Sequence, residues 1–233
     1  MYKFILSLLL ISSFLNADTK EALEAFKKKD YERAFKLYQE SAKSGDSVAQ
    51  NALSYLYFNG VGVKKDKTKG LSWLEKSAHN MDSTAQYDLG MMYLIGNNVK
   101  QDSTMAYTWL DSASDLGNTK AQYNLALMYY RGDGVDENVT KSALLLEKAA
   151  INGHIEAQKN VGRIYMQLLK FDKAAQWLEL NAYDGDVESY YLLAEIYCTQ
   201  EKFKKAKKWA QKSKESGNAD AELLWLKYNL EKY

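Results

Sequence analysis

A few residues in this chain have side chains with a chemical repertoire. Arg131-Gly132-Asp133, inside AQYNLALMYYRGDGV (121–135), spells an adhesion tripeptide, and Asp133, Asp136 and Glu137 cluster as calcium ligands can. An EF-hand loop needs ligands at alternating positions around an internal glycine; that pattern is missing, so a solvated loop is expected. The two histidines, His79 and His154, have no carboxylate or cysteine at ligand spacing, which leaves no metal site. Cys198 is the only cysteine. With no base beside it, packing is expected of it rather than nucleophilic chemistry, and no internal disulfide can form. No catalytic, cofactor-binding or metal-ligating residue is assigned.

The elements that carry these residues follow a repeat, which must be found before any motif is believed. Blocks 47–82, 83–118 and 119–154 align without gaps, opening SVAQNALSYLYFNGVGVKKD, STAQYDLGMMYLIGNNVKQD and TKAQYNLALMYYRGDGVDEN. Two shorter blocks, 155–186 and 187–218, follow without the Gly-rich loop. Leu53, Leu89, Leu125, Val161 and Leu193 are each followed by a small residue: Ser54, Gly90, Ala126, Gly162 and Ala194. Tyr57, Tyr93, Tyr129, Tyr165 and Tyr197 stand four residues after the large apolar column, on the same side of a helix. Trp73, Trp109, Leu145, Trp177 and Trp209 form a bulky column in the second half, so each block reads as a helical hairpin. The chain has no proline to interrupt its helices.

Gly45, Gly117, Gly153, Gly185 and Gly217 stand where each second helix ends and a left-handed residue is wanted. Met81 breaks that column, and at positive φ it would be strained. Gly132 falls in the column of Gly60 and Gly96, so the repeat already accounts for the glycine of the adhesion-like tripeptide.

These columns resemble the Sel1-like repeat: an Ala-rich first helix, Leu-Gly and Tyr at fixed steps, a Gly-x-Gly-Val loop, then a second helix with an aromatic and a terminal Gly. YFNGVGVKKD and YRGDGVDEN carry the loop well, and LIGNNVKQD has Asn98 for the second glycine. The 32-residue blocks and KKKDYERAFKLYQESAKSGD near the start look more like tetratricopeptide repeats. The resemblance implies an all-α fold, a right-handed α-solenoid of stacked helical hairpins. It also implies one domain over 18–233: an N-terminal hairpin at 18–46, the five blocks, and a capping helix over 219–233, expected to be polar outside at Glu222 and Lys227.

Sel1-like proteins resemble adaptors and scaffolds, which implies a non-catalytic protein- or peptide-binding role. Some cysteine-rich relatives are described as penicillin-binding or β-lactamase enzymes. The Ser-x-x-Lys, Ser-Asp-Asn and Lys-Thr-Gly motifs of such enzymes are absent, the nearest being KTKG at 67–70. A third reading is a structural subunit of an envelope complex.

The surface carries the remaining functional signal. With the Ala, Leu and Tyr columns inward, the opposite side of each first helix carries an i, i+4, i+7 stripe. In the long blocks these are Asn51, Tyr55 and Phe58; Tyr87, Met91 and Leu94; and Tyr123, Leu127 and Tyr130. They turn to Lys159, Arg163 and Met166, then Tyr191, Glu195 and Cys198, in the short ones. A Tyr- and Met-rich strip on a concave face suits partner recognition. Burial between successive first helices is the alternative.

The N-terminus, MYKFILSLLLISSFLNA, has a cation, an apolar run from Phe4 to Leu15 and a small residue at Ala17, as in a signal peptide over 1–17. The run is too short to span a bilayer. An exported, periplasmic or secreted monomer without membrane insertion is therefore expected. Loss of Lys3 leaves 30 basic residues against 30 acidic ones, a balance that does not attract nucleic acid.

Overall fold

A computed structural model describes residues 17–233. The signal peptide expected over 1–17 lies, but for Ala17, outside the described residues. Among them are thirteen α-helices, a 3-10 turn and no strand. The helices are α1 (Ala17–Lys27), α2 (Tyr31–Lys43), α3 (Ser47–Asn59), α4 (Lys67–His79), α5 (Ser83–Ile95), α6 (Ser103–Asp115) and α7 (Thr119–Arg131). They continue with α8 (Val139–Ile151), α9 (Ile155–Gln167), α10 (Phe171–Tyr183), α11 (Val187–Thr199), α12 (Phe203–Glu215) and α13 (Ala219–Lys227). No described helix is long and apolar enough to cross a membrane.

The chain divides into two compact units. One comprises residues up to Ala121 together with Asp133–Val135, and the other Gln122–Gly132 with Asp136–Tyr233. In each, consecutive helices pack pairwise as hairpins, so the fold is that of an all-α helical-repeat solenoid.

The helices start where short polar side chains satisfy their first free N–H groups. Asp46, Asp82 and Asp186 accept from the backbone of Ala49, Ala85 and Ser189. His154 takes the same position at α9, its Nδ1 accepting from the Ala157 N–H at 3.2 Å. Both histidines therefore belong to the packing: His154 stacks on Tyr123 at 4.3 Å, and His79 meets Trp109 edge-on at 5.2 Å.

The columns do what their residue types dictate. Leu53, Leu89, Leu125, Val161 and Leu193 are buried, and Tyr165 and Tyr197 close on Glu147 and Glu179 through 2.6 Å hydroxyl bonds. A methyl group at Gly90 or Gly162 would fall 2.8 Å from Cγ of Leu110 or Leu178, so these glycines set the helix spacing. Met81 takes a φ of 61° with its side chain 66% exposed, the strained conformation the broken glycine column predicts.

Two features were not foreseen. In the tight turns before α2, α10 and α12, Lys29, Leu169 and Glu201 occupy the left-handed region without glycine. The outer side of α13 exposes Leu223 and Leu226 (65% and 66%) beside Glu222 and Lys227, so it is less polar than the sequence suggested. Leu226 stands in the small-residue column that elsewhere faces a second helix.

A glutamine tether joins successive hairpins. Gln50, Gln86 and Gln158 donate Nε2 to the carbonyls of Ala42, Ala78 and Ala150 at 3.0 to 3.1 Å. In return the amides of Asn80 and Asn152 donate to Oε1 of Gln50 and Gln122, at 2.9 and 3.2 Å. The residue in this position for Gln86 is Leu116, and Gln86 Oε1 is buried without a hydrogen-bond partner among the described residues.

Candidate functional site

The loops that follow first helices decide where the surface opens. A Cβ built on Gly62 would lie 2.2 Å from the carbonyl oxygen of Tyr31, the first residue of α2. One on Gly134 would lie 2.3 Å from that of Ser103, the first residue of α6. Both loops thus press backbone to backbone on a second helix of the preceding hairpin, a seat only glycine fits. The same register pairs Asn98 with Lys67, the first residue of α4. Asn98 keeps the positive φ of its glycine counterparts, at 63°, but its Cβ forbids that approach. Here a cleft of about 600 Å³ opens, with Lys67, Asn97 and Asn98 among its walls.

The cleft runs between α3 and α5. Asn51, Ser54, Tyr55 and Phe58 line one side, and Asp88, Met91, Met92 and Ile95 the other. Leu74 of α4 also lines it, and Lys65, Lys67 and Asn59 stand at the end with the Asn97–Asn98 loop. Phe58 is fixed by lying over Gly70, where a Cβ would meet its ring at 2.9 Å. Tyr55 meets Phe26 edge-on at 6.2 Å. Asn51 donates to Asp82 at 3.3 Å.

Asp88 is the chemically distinctive group. It is half-buried, and among the described residues it has no hydrogen-bond or ion-pair partner. Burial pushes its carboxyl up to about 7; Lys120 opposes the shift and the charge of Asp82 adds to it. The column Ala52, Asp88, Asn124, Asn160, Leu192 shows an acid at one block alone, a signal the sequence offered and the stripe argument passed over.

The cleft gathers Asn51, Tyr55, Phe58 and Met91 of the sequence-derived stripe. Tyr87 and Leu94 are half-buried on α5 outside its lining, with the Lys120 ammonium 5.9 Å from the Tyr87 ring centre. The remaining stripe residues belong to the second unit. Tyr123 and Leu127 are half-buried and Tyr130 is 38% exposed. Lys159 is exposed and pairs with Glu156, Arg163 pairs with Glu188, and Tyr191 and Glu195 are half-buried. Thus most of the stripe is neither core nor free surface. Cys198 is 2% exposed, and burial pushes its thiol up to about 11, which suits packing. No group of three or more potential metal-ligating side chains occurs among the described residues.

Comparison with known proteins places this geometry. Residues 25–46, 47–80, 83–118, 119–154 and 187–218 match the family described as Sel1 repeat. Among solved structures the chain is similar to a Sel1 repeat protein from Oxalobacter formigenes, at 35% identity and a TM-score of 0.53, over 53% of this chain and 93% of that one. It is also similar to c5321, a protective antigen of uropathogenic Escherichia coli with an SLR fold. There the identity is 27% and the TM-score 0.49, over 88% of this chain and 54% of that one. Helicobacter pylori cysteine rich protein B is similar at 22% identity and a TM-score of 0.41, over 60% of this chain and 93% of that one. No curated protein matches. Sel1 repeats are commonly protein-interaction scaffolds. With more than half its residues matched and its helices paired hairpin by hairpin, the chain belongs to the Sel1 repeat family.

Proposed function

We propose that this protein is a non-catalytic adaptor that binds a protein or peptide partner through the faces of its first helices. The observation that carries this reading is the cleft between α3 and α5, where Tyr55, Phe58, Met91, Met92 and Ile95 line a cavity of about 600 Å³. Aromatic and thioether side chains give large contact area at modest entropy cost, and an apolar recess with few polar groups is the ordinary form of a recognition site. A photo-crosslinking residue at Met91 should trap a discrete partner in cells. The same residue at Leu144, exposed on α8, should not. Equal labelling from both positions would sink the proposal.

We further propose export to the bacterial envelope, on the strength of the N-terminal apolar run Phe4–Leu15. N-terminal sequencing of the protein from an envelope fraction should begin at Asp18. Protein retained in the cytosol with residues 1–17 intact would refute export and leave the binding role standing.

A further inference from the structure

Asp88 is not required by the repeat, because Ala52, Asn124, Asn160 and Leu192 occupy its position in the other blocks. It stands among methionines and aromatics, with no hydrogen bond or salt bridge among the described residues and with Lys120 only partly offsetting its burial. A carboxylate in an apolar recess is unstable unless a cation meets it. At the other end of the cleft Lys65 and Lys67 are exposed cations. From Asp88 to Ile95, at that end, α5 rises roughly 10 Å, the span of about three residues of extended chain. The cleft is therefore apolar along its length, acidic in one half and basic at the opposite end.

We infer that this cleft binds an extended peptide segment whose lysine or arginine head pairs with Asp88, whose apolar neighbours pack on Met91 and Phe58, and which carries a carboxylate about three residues away facing Lys65 and Lys67. This rests on the adaptor reading and names its partner chemistry. Asn98 makes room for the segment, since glycine there would let the loop seat on the start of α4 as Gly62 and Gly134 seat their loops. The charged and titratable groups around Asp88 are Lys120 and Asp82, with Tyr55, Lys65 and Lys67 in the cleft walls.

The test is a phage library of random nonapeptides panned at pH 8 on the chain from Asp18 to Tyr233 and on its D88N variant. Peptides selected by the unaltered chain should share a basic position with an acidic residue about three places away. Measured by fluorescence anisotropy, they should lose at least tenfold in affinity with Asp88→Asn. They should also weaken about tenfold from pH 8 to pH 6, because a proton then competes for Asp88. Asn98→Gly, checked for an undiminished Tm, should weaken them too. Selected peptides without a basic position, or ones that bind D88N as tightly, would overturn this inference alone and leave the adaptor reading in place. Enrichment of no peptide over the bare support would overturn both.

Discussion

Asp88 makes stability depend on pH in a direction opposite to that of a salt-bridged acid. Its carboxyl titrates near the ordinary 3.8 in an unfolded chain and at about 7 here, so between those values the folded chain holds a proton the unfolded chain has released. Stability falls as pH rises through that window and levels off above it. At about 1.4 kcal/mol per pH unit, over about three units, the loss is on the order of 4 kcal/mol. Asp88→Asn should raise the Tm by several degrees at pH 8 and hardly at all at pH 4, in paired thermal melts. Met81 stores a different strain, a positive φ on a side chain that is 66% exposed and so has little packing to lose. Met81→Gly should gain about 1 kcal/mol in urea unfolding. The Met81 strain was legible because a glycine column exposes its own exception. The shift at Asp88 was not, because it depends on how deeply the fold buries the carboxyl and on where it sets Lys120 and Asp82.

At the scale of elements, the glutamine tethers show which junctions are complete. Asn80 and Asn152 return a hydrogen bond to Gln50 and Gln122, whereas Leu116, 40% exposed, leaves Gln86 Oε1 unsatisfied among the described residues. Leu116→Asn should close that junction and gain about 1 kcal/mol, read as a higher urea midpoint at unchanged m. Where the helices already touch, adding bulk does the reverse. Gly162→Val should cost more than 2 kcal/mol, because even a Cβ falls 2.8 Å from Leu178 Cγ. The hairpins were readable from sequence because a large–small–Tyr pattern at helical spacing admits one inward face. The cleft was not, since its walls come from α3, α4, α5 and the Asn97–Asn98 loop together, and the sequence showed Asn98 only as a stand-in for glycine.

For the molecule as a whole, contacts are mainly between neighbouring helices, so stability is a sum of hairpins and their interfaces rather than one shared core. A lesion such as Gly162→Val should therefore act locally. Hydrogen exchange should show lost protection centred on α9 and α10, with α3 and α4 nearly unaffected. Uniform loss across the chain would contradict this. The charge of the molecule is also local: the chain is formally +1, yet α12 alone carries six lysines. Lys208 and Lys212 lie over Trp209 at 4.8 and 5.2 Å, and Lys214 over Trp225 at 4.5 Å, so much of this charge is engaged with rings.

The tethers also bear on how such a chain can change its length. Each glutamine reaches eight residues back, into the end of the preceding hairpin. A duplication or deletion of one whole block would hand every glutamine an equivalent carbonyl, wherever in the block the genetic breakpoint fell. A gain or loss between a glutamine and the carbonyl eight residues before it would strand a buried amide, whereas the four residues missing from each short block fall in the loop and leave the Gln158 bond intact. The array can thus be copied like a sentence with its grammar intact, and each new copy is free to lose a glycine and open a site of its own.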